Sequence, residues 1–132
     1  MSASTNPFDY CRRDSNAEAR IQAAIVEWVR LVAPSVLVFA IPNGGLRTKA
    51  EAARLKWTGT LAGVPDLAIV VPGGVIWFIE TKAPSGSLSS DQREIRDRLV
   101  ALNCPPAICR SVDDARRAFA AWNIATREAA HG

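Results

Sequence analysis

Asp66, Glu80 and Lys82 are the residues of this sequence whose types and spacing could do chemistry together. They punctuate an apolar stretch, GVPDLAIVVPGGVIWFIETK (63–82), in which the runs Leu67 to Val71 and Val75 to Ile79 flank Pro72-Gly73-Gly74. Two short apolar runs around such a turn predict a tight hairpin of buried strands. A three-residue loop pairs Val71 with Val75, and the same register sets Asp66 opposite Glu80. Alternation along the strand keeps Glu80 and Lys82 on one face and turns Thr81 away from it. Opposed carboxylates repel unless a cation joins them, so the pattern predicts a metal site with an ammonium group beside it. Asp66 and Glu80 are hard oxygen ligands suited to Mg²⁺ or Mn²⁺, and the backbone carbonyl of Thr81 adds a further oxygen. Lys82 can orient or deprotonate a water. That is the equipment of phosphodiester hydrolysis, which needs an activated water and a cation for the developing charge. The competing reading is a salt-bridged group at a sheet edge, since D-x13-E-x-K is a loose pattern.

The flanking segments supply what must position these groups. A helix is expected from about Ser15, with Ile21, Ala24, Ile25, Trp28 and Val32 in one apolar stripe. Glu18 heads that stripe. It either closes a capping box, Ser15-x-x-Glu18, or points across the sheet toward Asp66 and Glu80. Val36 to Ile41 predict a strand and Lys49 to Trp57 a short helix. Between them Pro42, Asn43, Gly44 and Gly45 form a turn whose backbone N–H groups could face phosphate. Arg47 and Lys49 add charge there, although an ordinary strand-to-helix turn needs no phosphate and the P-loop spacing is absent. Ser89-x-x-Gln92 is a second capping box, opening a helix whose buried side carries Ile95, Leu99 and Leu102. Ala107 to Arg110 predict the last strand. Ser111 caps a final helix, with Asp113 and Asp114 serving its dipole and Phe119 and Trp122 its core face. The order helix, strand, short helix, strand, strand, helix, strand, helix predicts an α/β fold around a mixed four-stranded sheet.

Composition narrows the class. A chain of 132 residues, 48% hydrophobic and 22% charged, suits one globular domain. Residues 1–14 read as a flexible arm, 15–125 as the domain and 126–132 as a frayed tail. The net charge is +3, and of 16 basic residues only Lys49, Lys56 and Lys82 are lysine. Arginine favours bidentate phosphate contacts, though a GC-rich genome gives the same bias. Cys11, Cys104 and Cys109 match neither a disulfide framework nor a zinc site and read as reduced thiols. The sole histidine, His131, lies in the tail, which excludes a His-dependent triad and an HExxH zinc site. There is no signal-like segment and no apolar run of membrane-spanning length, so the expectation is a cytoplasmic protein with no membrane partner.

Four segments, IPNGGLR (41–47), AARLKWTGTLAGVPDL (52–67), FIETK (78–82) and GSLSSDQ (86–92), together resemble the virus-type replication-repair nuclease domain, VRR-Nuc, of the PD-(D/E)xK superfamily. The likeness runs from about residue 17 to 120. It implies a restriction-endonuclease-like αβββαβ core and a Mg²⁺- or Mn²⁺-dependent DNA endonuclease. In that implied site Asp66 and Glu80 bind metal, Lys82 is the catalytic lysine, and Glu18 completes the metal site directly or through water. Gln92 becomes the active-site glutamine, although a side chain cannot easily serve both cap and site. Asn43, Gly44, Gly45, Arg47 and Lys49 would lie toward DNA. Small stand-alone members resemble Holliday-junction resolvases, which implies a homodimer on branched DNA, in a bacterial or phage-infected cell. A non-catalytic nucleic-acid-binding module that keeps the fold is the alternative. Two positions depart from the family: Thr81 replaces a more usual aliphatic residue, at a position read as outward, and Asn103-Cys104 replaces a Gly-aromatic pair before the last strand.

Overall fold

Helix α1 (Pro7–Val32) opens the fold and covers one face of the sheet. A computed structural model describes the backbone of residues 7–42 and 48–128, and side chains from residue 16 onward within those ranges. The helix begins eight residues before the expected Ser15, with a proline at its first position, where a missing N–H costs nothing and φ is already helical. Ser15 therefore sits inside the helix, not at its cap. Next come β1 (Leu37–Ala40), α2 (Lys49–Trp57), β2 (Leu67–Val71), β3 (Val75–Thr81), α3 (Ser90–Ala101), β4 (Ala107–Cys109) and α4 (Val112–Ala121). The order is the expected one.

The strands lie in the order β1-β2-β3-β4, antiparallel except for the parallel β3–β4 pair, so the sheet is mixed. Val71 pairs with Val75 and Leu67 with Ile79, the register expected from the three-residue turn. Gly73 and Gly74 take φ of +98° and +84°, backbone that a side chain would strain. One step past Leu67–Ile79 sets Asp66 opposite Glu80.

Odd-numbered residues of β3 face α1 and α4, and even-numbered ones face α3. On the first face Ile25, Val29, Leu67, Ile69, Ile79 and Phe119 are essentially without solvent contact. Trp28 meets Phe119 edge-on at 5.0 Å, and Trp77 stacks on Trp122 at 4.9 Å. Truncating such a phenylalanine costs about 3–5 kcal/mol in lost transfer energy and cavity formation. The second face is only partly covered. Ile95 of α3 is buried, but Leu102, expected on that helix's buried side, caps the helix end and is exposed. Asn103 follows at φ 62°, a left-handed position that asparagine tolerates better than most residues.

Two residues beyond α4 are tied back to the helices. Arg127 N–H bonds Val32 O at 2.6 Å, and Glu128 accepts from Trp28 Nε1 and Arg116 Nε. Arg127 and Glu128 are thus held to α1 and α4. Among the described residues no helix is long and apolar enough to cross a membrane.

Candidate active site

The open end of the hairpin gathers side chains from four elements. Glu80 ends on the α3 face of β3 and is 4% exposed, while Lys82, two residues on, is 7% exposed. The N–H of Lys82 bonds Cys109 O at 3.0 Å, so the β3–β4 ladder continues into the residue and fixes where its side chain leaves the backbone. Half-buried Asp66 stands at the head of β2. Its Oδ2 accepts from both N–H and Oγ1 of Thr81, each at 2.8 Å. The first of these bonds takes up a backbone donor just past the last residue pair of the β2–β3 ladder.

Thr81 is therefore not outward. It does face away from Glu80, as alternation requires, but that side is roofed by α1, and the residue is 1% exposed. Its hydroxyl also lies 3.4 Å from Gln22 Oε1 of α1. Gln22 follows Glu18 by one helical turn, so the two share a face. That spacing was a usable signal for Gln22, and the sequence reading passed over it.

Gln92 resolves a conflict between cap and site. Its Oε1 accepts from Ser89 N–H at 2.9 Å while Ser89 Oγ accepts from Gln92 N–H at 3.2 Å, a complete capping box. The other end of the same amide, Nε2, donates to Glu80 Oε1 at 2.9 Å. An amide has an acceptor and a donor at opposite corners, so one side chain does both. The two roles that a side chain cannot easily combine are combined here because they use opposite ends of the amide. A glutamate there could accept the cap but could not donate to Glu80 unless it were protonated.

Glu18 has lost its capping alternative because the helix starts at Pro7. It adds a smaller negative influence on Glu80, and its Oε1 lies so close to the 83–86 turn that a Cβ on Gly86 would sit 3.6 Å from it. That turn is pinned by Arg110, whose Nη1 donates to Ala83 O at 2.6 Å and Gly86 O at 2.7 Å. Nothing in the local pattern marked Arg110 for this task. Gly63 makes another close approach. At φ +88° its Cα faces the first turn of α3, and a Cβ would lie 2.4 Å from the backbone of Asp91. Only glycine lets the Gly63–Asp66 approach press against the turn that carries Gln92.

Electrostatics follow from this packing. Burial pushes the Glu80 carboxyl up to about 8, helped by the charge and hydrogen bonding of Asp66 and by Glu18, and opposed by the Lys82 ammonium. Without a further cation this packing favours the protonated form of Glu80 at neutral pH. The donor set fits a hard divalent ion, since hard carboxylate oxygens and the Thr81 carbonyl at the strand end match what such ions take. The described residues contain no group of three acidic, His or Cys side chains arranged to enclose an ion alone. A cation here would draw its remaining ligands from water or phosphate.

The rest of the predicted residues divide plainly. Asn43, Gly44, Gly45 and Arg47 lie outside the described residues, and Lys49 is an exposed first residue of α2 with Thr48 as its cap. Asp113 and Asp114 are occupied by Arg116, Arg117 and the N–H of Arg110, as structural acids should be. Burial pushes the Cys109 thiol up to about 12 and raises that of Cys104, so both stay protonated.

The family model of the VRR-NUC domain matches residues 9–113. Two solved structures share the fold. One, described as "VRR_NUC domain", is 22% identical, with a TM-score of 0.58 over 79% of this chain and 95% of that one. The other, "VRR_NUC domain protein", is 19% identical, with a TM-score of 0.64 over 83% of this chain and 90% of that one. Comparison with curated proteins gives no match.

Proposed function

The chain belongs to the VRR-NUC domain family, a nuclease-type domain, and from that premise we propose that it is a divalent-metal-dependent, structure-selective DNA endonuclease acting as a homodimer on branched DNA. The observation that carries the reading is the buried end of β3. A carboxyl, a carbonyl and an ammonium are withdrawn from water there, with Asp66, Glu18 and Gln92 converging from three other elements. Such burial is expensive unless a charged ligand compensates it.

In this reading Asp66, Glu80 and the Thr81 carbonyl hold Mg²⁺ or Mn²⁺, with Glu18 contributing directly or through water. Held there, such an ion would supply Lewis-acid chemistry, activation of a water and charge for the phosphate oxygens. The Lys82 ammonium would orient that water and donate to the phosphate. Gln92 holds Glu80 in one rotamer, and Gly63 holds Gln92. Asn43, Gly44, Gly45, Arg47 and Lys49 are proposed to contact the DNA backbone. A four-way junction has two-fold symmetry, which a C₂ dimer matches.

The test is cleavage of four-way, flapped and single-stranded DNA with Mg²⁺ or Mn²⁺. Cutting that is lost in folded Glu80→Ala and Lys82→Ala supports the reading, and its absence on every substrate with either ion refutes it. Junction binding that is indifferent to chelator and to Asp66→Ala, without cutting, would instead identify a non-catalytic binding module.

A further inference from the structure

We propose that Thr81 and Gln22 form a positioning pair that fixes which oxygen of Asp66 is offered to the cation. The inference rests on the metal-dependent reading above. Asp66 Oδ2 already accepts two hydrogen bonds at 2.8 Å, one from the backbone and one from the hydroxyl of Thr81. A carboxylate oxygen has two lone pairs in its plane, so Oδ2 is saturated and Oδ1 is the oxygen left for a ligand.

The threonine hydroxyl has one proton. It lies 2.8 Å from Asp66 Oδ2 and 3.4 Å from Gln22 Oε1, so the proton belongs to Asp66. Gln22 then has to present its Nε2 to Thr81, the amide being turned over, because two acceptors facing each other gain nothing. The result is a directed chain, Gln22 to Thr81 to Asp66, from α1 through β3 to the head of β2. An aliphatic residue at 81 would fill the same space under α1 but leave Asp66 Oδ2 with the backbone donor alone. Partners of this kind orient ligands and sharpen metal affinity without touching the metal.

The decisive comparison is Mn²⁺ binding to the protein without DNA, measured by calorimetry on wild type, Thr81→Val, Thr81→Ser and Gln22→Met. Outer partners of metal ligands are worth about 10–100-fold in affinity, and Thr81→Val is expected to weaken Mn²⁺ binding at the low end of that range, about tenfold. Thr81→Ser restores the hydroxyl and is expected to bind within about twofold of wild type, a rescue that a packing role would not give. Gln22→Met leaves β3 untouched and tests the chain even if Thr81→Val fails to fold; it is expected to weaken binding by about threefold. Wild-type affinity in Thr81→Val, or in Gln22→Met should Thr81→Val not fold, overturns the proposal. Failure of the wild type itself to bind Mn²⁺ overturns the metal-dependent reading and the positioning pair with it, a different outcome on the same instrument.

Discussion

The two ends of the β2–β3 hairpin invert the usual arrangement of a sheet. At the turn, Val75 and Ile76 are apolar and about half exposed, at 48% and 46%. At the open end, Glu80, Thr81 and Lys82 are polar or charged and all under a tenth exposed. One strand thus shows hydrophobes to water and hides polar and ionisable groups from it. The turn end needs little else, since Pro72-Gly73-Gly74 and the ladder set its geometry. The open end is held by Gln92, Arg110, Gly63 and Thr81, each tied to a different neighbour. Under the proposed function, burial of polar groups with this much support places the chemistry at this end of the hairpin.

The largest expected break in this contrast is in activity. Glu80→Ala and Lys82→Ala should each lower junction cleavage by about a thousandfold or more, the scale of losing a preorganised charged group. Ile76→Ala at the other end should leave cleavage unchanged and shift chemical-denaturation stability by about 0.5 kcal/mol or less.

Gly63→Ala should come next. It combines a positive φ with a Cβ 2.4 Å from the Asp91 backbone, and strain of this kind costs about 1–3 kcal/mol per residue. Denaturant titration reads the loss, and cleavage should fall as well because the α3 turn carrying Gln92 must shift.

Stability against pH gives a third, smaller effect with a definite sign. Glu80 has its folded value raised from 4.5 to about 8, so between those limits the native state holds a proton that the unfolded chain has lost. Stability then falls as pH rises through that window. For the metal-free protein the Glu80 contribution is fully present below about pH 4.5 and lost by about pH 8. Glu80→Gln keeps the shape without the titration, and its thermal melting curves should lack this component of the pH dependence.

Much of this was legible in residues alone. The hairpin, its register and the meeting of Asp66 with Glu80 follow from two apolar runs around Pro-Gly-Gly, because strand pairing is fixed by a turn of known length. The start of α1 was not legible. Residues 7–14 carry no apolar period, and Ser15-x-x-Glu18 imitates a cap that the backbone does not use. Strand alternation shows that Thr81 faces away from Glu80 but not that α1 covers that side, so its burial is not legible in the sequence. Gln92 was read as either cap or ligand partner because one-dimensional motifs assign one role to a residue, and its amide has two ends. Arg110 and Gly63 owe their tasks to chain segments 24 to 28 residues distant, Gly86, Ala83 and Asp91 among them, which no local pattern encodes.

The claim that the buried open end is built for a cation is tested most directly by Mn²⁺ calorimetry at pH 7 in buffers of different ionisation enthalpy. With Glu80 protonated in the free protein, binding should release most of one proton in the wild type and markedly less in Glu80→Gln, with weaker affinity in the variant. Mn²⁺ binding of equal strength and equal proton release in the two proteins would contradict it.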